Sequence, residues 1–479
     1  MRTQTPSAET EVIIVGAGIA GLYAAYRLLQ ANIPFKILEA DDHAGGRIKS
    51  RKEKNSHLGL VLDEGANLIN STDTLAIKLM NRFDINYVRR LKSGMDSMHY
   101  LVAGEEYDQQ RFDQLLFAES RVAINNIVAD QDIWREDKTR DLDPKFINES
   151  IASYLKRIDA GPVLRVMLKS FFWSEYGYEI DNLNLHVLFD YLEIDMSCPC
   201  FKLIPNVDEA YTVPGGTRQI TASLEKICHD HVLYNRRVNS IGELAGVIHV
   251  SSTNADLQIE THTAQHVLYA APLYSLKNIK IMIEGLAPEA VELASAASYA
   301  NGAKLHLKFE PGFEKLYRYS GILLTDTGEQ IWTSGTGQGG AGLLTVLTGP
   351  LPAGRAAAIE YAGHVLVALD KICPGLSELF VGVERSDAPM SYSGSLRPGE
   401  AAHLAIIDGA KHWTTIGEAA SGELQGYLEG ALRSADDAVT RYVLGKRAHK
   451  THFLRRGLMK MGLIKRQGYH KLMIKNPSA

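Results

Sequence analysis

A glycine-rich stretch near the start of the chain has the residue types and spacing for chemistry on a nucleotide. Residues 12–15 read VIIV, and residues 16–21, which read GAGIAG, follow at once. The first glycine allows a tight turn, the second lets the backbone approach a pyrophosphate, and the third lets helix pack closely on strand. Free amides and the positive end of the helix dipole then hold phosphates. The predicted cofactor-binding residues here are Gly16, Gly18, Ile19, Ala20 and Gly21.

The elements that position this turn follow it in the sequence. Residues 20–29 have helical apolar spacing, and residues 35–38 form a second apolar strand that ends at Glu39. A carboxylate at this point accepts hydrogen bonds from a ribose 2′-hydroxyl. It therefore favours FAD or NAD over NADP, and we expect Glu39 and the adjoining Ala40 at the ribose.

Length and composition limit the class of protein. The chain has 479 residues, of which 45% are hydrophobic and 22% charged, which is an ordinary soluble composition with room for two or three domains of core. Its four cysteines form neither a disulfide framework nor a ligand set with histidines, so we predict reduced thiols and no metal site. With neither a signal-peptide pattern nor an apolar run of membrane-spanning length, we expect a cytoplasmic protein.

Charge is distributed unevenly. Residues 438–479 contain eleven lysines and arginines and no acid, interspersed with Leu, Met and Ile. This pattern predicts either an amphipathic helix in peripheral contact with anionic lipid, or a solvated extension that could contact a second copy in a homodimer. No recognition motif supports a nucleic-acid partner.

Further motifs follow the opening stretch. Residues 45–47 read GGR, residues 63–67 read DEGAN, residues 417–419 read GEA and residues 426–431 read GYLEGA. In this order and spacing they resemble the flavin amine oxidase superfamily, which includes monoamine oxidases, polyamine oxidases and L-amino acid oxidases. The resemblance covers nearly the whole chain except the basic tail.

The resemblance implies an α/β fold in which a Rossmann-type, glutathione-reductase-like FAD-binding domain carries a second, α+β substrate-binding domain. The FAD domain would comprise residues 1–75, 205–285 and 385–445, and its last helix would end near Arg441. The substrate domain would comprise residues 76–204, which are rich in helical patterns, and 286–384. Residues 446–479 would be a basic C-terminal extension.

The resemblance also implies how FAD is held. Ser391 falls where monoamine oxidases carry their flavin-linking cysteine, and serine cannot form that thioether, so we expect non-covalent FAD. The backbone of Val238 would hold adenine, and Glu418 would lie against the ribityl and phosphate region. Beyond the opening stretch, the cofactor-binding residues implied are Gly46, Arg47, Gly65, Ala66, Asn67, Val238, Gly417, Glu418, Gly426, Tyr427 and Leu428.

Three catalytic residues follow from the same resemblance. In the strand pattern of residues 298–309, Lys304 shares a face with His306 and Lys308. From the residues alone all three would be solvated. The resemblance makes Lys304 the lysine that holds a water against flavin N5, and leaves His306 and Lys308 as surface residues. Tyr392 and Tyr427 would form opposite walls of an aromatic cage for the amine.

The implied reaction is amine oxidation, with a small-molecule amine as substrate and molecular oxygen as acceptor. A hydride would pass from the carbon α to nitrogen onto flavin N5, giving an imine, then a carbonyl, and hydrogen peroxide. Residues 67–70 read NLIN and lack the arginine that clamps the carboxylate in L-amino acid oxidases, which favours an amine over an amino acid. Arg397 could supply that cation, so an amino-acid substrate stays open. A flavin-dependent desaturase or isomerase, and a silent flavin-binding protein, are the remaining hypotheses.

Overall fold

A computed structural model of the chain describes residues 9–53, 60–90, 98–136, 148–197, 200–203, 208–296, 299–319, 321–335, 342–392, 410–421, 424 and 426–460. For residues 190–191, 293, 300–301, 387–392 and 446–460 it describes the backbone alone.

The described residues form strands and helices in alternation. The strands are β1 (Thr10–Val15), β2 (Phe35–Leu38), β3 (Ser50–Lys52), β4 (Val61–Asp63), β5 (Val88–Arg89), β6 (Met98–Val102), β7 (Glu105–Asp108), β8 (Leu192–Asp195), β9 (Cys200–Leu203), β10 (Tyr211–Thr212), β11 (Val232–Leu233), β12 (Arg237–Leu244), β13 (Val247–Thr253), β14 (Ile259–Tyr269), β15 (Lys280–Met282), β16 (Tyr299–Phe309), β17 (Ile322–Thr325), β18 (Glu329–Thr333), β19 (Gly342–Thr348), β20 (Phe380–Tyr392) and β21 (Trp413–Thr415). The helices are α1 (Ile19–Gln30), α2 (Thr74–Arg82), α3 (Gln109–Glu136), α4 (Ile151–Arg157), α5 (Pro162–Tyr176), α6 (Leu185–Tyr191), α7 (Arg218–Cys228), α8 (Pro288–Ser295), α9 (Phe313–Leu316), α10 (Arg355–Asp370) and α11 (Leu428–Lys460).

The first large sheet holds the glycine-rich turn. Its strands run in the order β11-β2-β1-β14-β13-β12-β15, and β21 pairs with β14. β1 lies parallel between β2 and β14, which is the pairing that a crossover helix produces. The apolar residues of α1, α7 and the first turns of α11 pack together in one core against this sheet. The structure therefore confirms the predicted strand, turn, helix and strand, with β2 on the predicted residues.

The second large sheet carries Lys304. Its strands run in the order β20-β16-β19-β18-β17-β6-β7, and β16 pairs antiparallel with both β19 and β20. α5 packs across β16 to β19, and α10 packs on β16 and β20. Of the helices in residues 74–191, α3 to α6 pack their apolar residues together in a further core. This second α+β unit beside a Rossmann-type sheet confirms the predicted fold class.

One predicted helix end differs from the structure. α11 continues to Lys460 instead of ending near Arg441, because residues 441–460 contain no proline and mostly good helix formers. β20 stays paired with β16 as far as Tyr392, and the predicted domain bounds stay a prediction. None of the helices in the described ranges is both long and apolar enough to span a bilayer.

The prediction that His306 and Lys308 are surface residues is wrong. His306 has no exposed surface and lies 3.1 Å, Nδ1 to Oγ1, from Thr345. Lys308 is largely buried and donates to Glu53. The alternation of β16 is as predicted, but other elements cover both faces of the strand, and period-two patterning cannot show that.

Candidate functional site

The glycine-rich turn has the geometry that a phosphate-binding loop needs. Gly16 has a φ of +101° and donates from its amide to the carbonyl of Leu38 at 2.8 Å. A β-carbon on Gly21 would lie 2.0 Å from the carbonyl oxygen of Gly16, so only glycine lets α1 approach the turn this closely. Gly18 precedes α1 with no side chain capping the helix. The first amides of α1 are therefore available for an anion.

The second glycine pair packs directly against the first turn. Gly45 donates from its amide to the carbonyl of Ala17 at 2.9 Å and forms a bridge with Gly18. A β-carbon on Gly46 would lie 3.2 Å from the Cα of Gly18. A β-carbon on Gly18, by contrast, would meet no atom within 4 Å. The two motifs thus form one cradle that opens beside Gly18, as predicted for a wrap around the same phosphates.

Glu39 lies at the end of β2 beside this cradle. One carboxylate oxygen accepts from the amide of Ala17 at 2.6 Å and the other from the amide of Asp41 at 2.9 Å. Burial raises the pKa of Glu39, and these amides oppose that shift. The amide of Arg236 donates to the carbonyl of Glu39 at 2.6 Å, which brings Val238 at the start of β12 to the same edge. The geometry fits a ribose and adenine site there.

The first and last parts of the chain meet in an ion pair. Arg47, directly after the second glycine pair, donates to the buried carboxylate of Glu418. Its guanidinium lies 5.5 Å from the centre of the Tyr299 ring. Gly417, with a φ of +125°, lies where a β-carbon would meet no atom within 4 Å. The structure therefore brings the predicted cofactor-binding residues of both ends together.

The remaining predicted cofactor-binding residues border this region. Gly426 has a φ of +86° and, with Tyr427, leads into Leu428, the first residue of α11. Ala66 accepts a hydrogen bond from Thr217 through its carbonyl, and Asn67 uses its side chain between Asp63 and Trp332. The roles predicted for them in holding a flavin stay predictions.

Lys304, on β16, contacts the backbone of the segment that directly follows β4. Its ammonium donates to the carbonyl of Gly65 and lies 5.9 Å from the centre of the Trp332 ring. Burial lowers the pKa of Lys304 to about 8, although three nearby carboxylates act in the opposite direction. These carboxylates belong to Asp63, Glu209 and Glu175. Lys304 thus stands against the backbone of the predicted cofactor site, in an acidic environment.

The three carboxylates differ in the hydrogen bonds that they accept from neighbouring residues. Asp63 accepts from Thr217, Ser50 and Asn67. Glu175 accepts from Gln330 at 3.1 Å, and burial raises its pKa. In Glu209, by contrast, the carboxylate oxygen Oε2 is buried and accepts no hydrogen bond from the described residues.

Glu175, Glu209 and Trp332 are site residues that the sequence analysis did not find. Glu175 carries a signal, since it is the one acid in the aromatic run of residues 171–177. Of Tyr392 the structure describes only the backbone, which pairs with Tyr299, so the predicted tyrosine pair stays a prediction. The side chain of Ser391 and the whole of Arg397 lie outside the described residues.

Comparison with known proteins decides the family. A model of the family described as flavin containing amine oxidoreductase matches residues 19–442. The chain belongs to this family. The match begins at the first residue of α1 and ends within α11, so it covers the whole second sheet, the first sheet from β2 onward, and the site residues from Ile19 onward.

The individual relatives of the chain are distant. It is 21% identical over 319 residues to the mitochondrial protoporphyrinogen oxidase of Nicotiana tabacum, covering 58% of this chain and 61% of that protein. It is 22% identical over 317 residues to the L-amino-acid oxidase of Vipera ammodytes ammodytes, covering 62% and 61%. The chain therefore spans about 61% of the length of each of these curated relatives.

Solved structures resemble the chain more completely. The cyclohexylamine oxidase from Brevibacterium oxydans IH-35A superposes with a TM-score of 0.73 at 19% sequence identity, covering 91% of this chain and 99% of that chain. At this identity the likeness concerns the fold, and it confirms a Rossmann-type domain with a second, substrate-binding domain. Membership of a flavin-containing family implies a flavin cofactor, and the open cradle beside Gly18 fits the phosphate part of such a group.

Proposed function

We propose that the chain is an FAD-dependent amine oxidase that binds FAD non-covalently and oxidises a primary or secondary amine at the carbon next to nitrogen. The phosphates would lie between the cradle of Gly16 to Gly21 and Gly46, with Glu39 at the ribose. When bound, FAD supplies the hydride acceptor and, with molecular oxygen, the route to hydrogen peroxide. The residues of the chain supply position, charge and exclusion of water.

The acidic environment of Lys304 is the observation that carries this proposal. Three carboxylates act on its ammonium, and the ammonium already contacts the carbonyl of Gly65. The neighbouring cation, Arg90, donates to the carbonyls of Glu209 and Gly321. Within the described part of this cluster, both cations are thus engaged. A substrate that arrives as a cation is attracted here, whereas a substrate carboxylate is repelled.

This charge balance favours an amine over an L-amino acid. Carboxylate recognition usually uses a bidentate arginine, and Arg90 is buried with its donors directed at backbone oxygens. A desaturase or isomerase of the same fold would have no use for the repeated carboxylates around Lys304. We further propose that the protein works in the cytoplasm and that its basic C-terminal segment contacts anionic membrane surfaces peripherally.

A panel of matched substrate pairs tests the proposal. Each pair consists of an amine and the amino acid with the same side chain, such as phenethylamine and phenylalanine, or tryptamine and tryptophan. We expect anaerobic bleaching of the flavin absorbance by at least one amine and at least about a hundredfold slower bleaching by its amino acid, since a buried like-charge contact costs several kcal/mol. Peroxide formation in air checks the acceptor. Flavin that no amine reduces, or that amino acids reduce faster, would contradict the proposal.

A further inference from the structure

One glutamate beside Lys304 has an unusual backbone and an unsatisfied carboxylate. Glu209 has a φ of +44°, in the left-handed region that glutamate rarely adopts. Its amide donates to the side chain of Asn70 at 2.9 Å, and its carbonyl accepts from Nε and Nη2 of Arg90 at 3.3 and 3.1 Å. The amide and the carbonyl of Glu209 are therefore both held by hydrogen bonds. These contacts offset the free-energy cost of its left-handed backbone conformation.

The side chain of Glu209 is less satisfied than its backbone. Oε2 is buried without a hydrogen bond, and the closest described cation is Nη2 of Arg90 at 3.7 Å. Burying a carboxylate oxygen without a hydrogen-bond donor costs free energy. Such an oxygen at a proposed active site therefore indicates that a ligand supplies the donor when it binds. An ammonium group is such a donor.

Charged groups from every neighbouring element act on Glu209. Arg90, directly after β5, and Lys304 from β16 favour its ionised form, whereas Glu175 from α5 and the adjacent Asp208 disfavour it. Burial is the largest effect and raises the pKa of Glu209 to about 7. A carboxylate of this kind is half protonated near neutral pH, which suits a proton acceptor.

We propose that Glu209 receives the ammonium group of the substrate and takes one proton from it, so that the amine is held as its free base. The proton moves from R–NH₃⁺ to the carboxylate of Glu209, giving R–NH₂ and a neutral carboxylic acid, and it passes to water after the product leaves. This inference rests on the proposed function, because only an amine with a free lone pair can assist loss of the α-hydrogen.

The proposal explains how the protein could use amines near neutral pH. An aliphatic amine titrates near 10.4, so only about one molecule in 2,500 is the free base at pH 7. If the chain selected this minor form from solution, kcat/KM would rise with pH up to the pKa of the amine. If Glu209 accepts the proton, the abundant ammonium form binds, and kcat/KM rises instead through the pKa of Glu209 near 7.

The first test compares the flavin-loaded protein with Glu209→Gln, which keeps the shape of the side chain and removes the charge. The acidic limb is the pH range over which kcat/KM rises. For two amines of different pKa, we expect this limb to lie at the same pH in the wild type. In Glu209→Gln we expect the limb to move to the pKa of each amine, and kcat/KM at pH 7 to fall between about tenfold and a thousandfold. Asp208→Asn removes a charge one residue away, so it should lower the pKa of Glu209 only slightly and keep one limb common to both amines.

The second test needs no turnover. α,α-Dimethylbenzylamine has no hydrogen on the carbon next to nitrogen, so it can bind but cannot be oxidised. Calorimetric titration at pH 8 in buffers of different ionisation enthalpy counts the protons released on binding. We expect no net release for the wild type, because the proton stays in the site, and one proton per amine for Glu209→Gln. Glu209→Asp keeps the carboxylate and tolerates the left-handed backbone, so it should behave as the wild type if the Gln variant fails to fold.

The outcomes separate the two proposals. If no amine reduces the wild-type flavin but the proton count still depends on Glu209, the oxidase proposal fails and the amine site at Glu209 stands. If the wild type releases one proton on binding, or Glu209→Gln leaves both the dissociation constant and the acidic limb unchanged, the role of Glu209 is overturned.

Discussion

At the residue scale, burial decides the chemistry of β16 more than residue type does. His306 is fully buried, and burial lowers its pKa to about 3. An unfolded histidine titrates near 6.5. Between these values the unfolded chain binds a proton that the native chain does not, so the free energy of unfolding falls as the pH drops from about 6.5 towards 3.

We therefore expect His306→Asn to flatten the acid side of the stability curve. The wild type should lose more stability between pH 7 and pH 5 than the variant, by on the order of 1–2 kcal/mol. Chemical denaturation at the two pH values measures the difference. His229→Asn, at an exposed position, serves as the control and should lose as much as the wild type. Equal pH dependence of the wild type and His306→Asn would refute a buried neutral imidazole.

Residue-scale prediction from sequence reached residues that stand in a family motif, and the roles given to them toward a flavin stay predictions. Lys304 and Glu418 were found because each stands in a recognisable pattern, and the structure places both beside the predicted cofactor cradle. Glu209 could not be found in this way. Its significance comes from a strained backbone, burial and the approach of Lys304 from a distant strand, and none of these leaves a local pattern in the sequence.

At the scale of elements, the opening strand, turn and helix were predictable because local and tertiary preferences agree. β-branched residues form β1, alanines and leucines form α1, and Gly16 and Gly21 stand where a side chain would be strained or would collide with the backbone. Boundaries set by pairing partners far along the chain, such as the end of β20, were not predictable.

The glycine-rich turn offers a substitution that should weaken flavin binding without changing the stability of the fold. Gly18 has ordinary backbone angles, and a β-carbon there would meet no protein atom within 4 Å. We expect Gly18→Ala to fold with wild-type stability when flavin is absent, and to bind flavin at least about tenfold more weakly, because the methyl group occupies the space reserved for the phosphates. Flavin fluorescence titration and thermal unfolding of the flavin-free protein measure the two properties.

Substitutions at two further glycines serve as controls for this prediction. Gly363 lies within α10 with open space at its β-carbon position, so Gly363→Ala should leave flavin binding unchanged and stabilise the helix by about 0.5–1 kcal/mol. Gly21→Ala would place a β-carbon 2.0 Å from the carbonyl oxygen of Gly16 and should destabilise the fold itself. If Gly18→Ala binds flavin as tightly as the wild type, the phosphates do not lie at this turn.

At the scale of the whole molecule, a charged network joins the hairpin of β3 and β4 to the second sheet. Arg51 donates to Glu64 at 2.6 Å and to Glu384 at 3.1 Å. Lys308 pairs with Glu53 and lies 3.6 Å from Glu384. The network connects residues that follow the second glycine pair to β16, the strand of Lys304. It therefore sets the position of Lys304 relative to the glycine cradle.

The buried member of this network gives a prediction for both stability and activity. The side chain of Glu53 is 3% exposed, so Lys308→Met leaves a buried carboxylate without its cation and should lower the free energy of unfolding by about 3–5 kcal/mol. Adding Glu53→Gln removes the unpaired charge, and the double variant should recover most of this loss, as denaturant titration would show. Because the link between the sheets is still weakened, amine oxidation in the double variant should stay below the wild-type rate while flavin content is normal. A double variant as unstable as Lys308→Met alone would mean that the lysine stabilises the protein through packing, since a charge effect requires that neutralising Glu53 restore the stability lost.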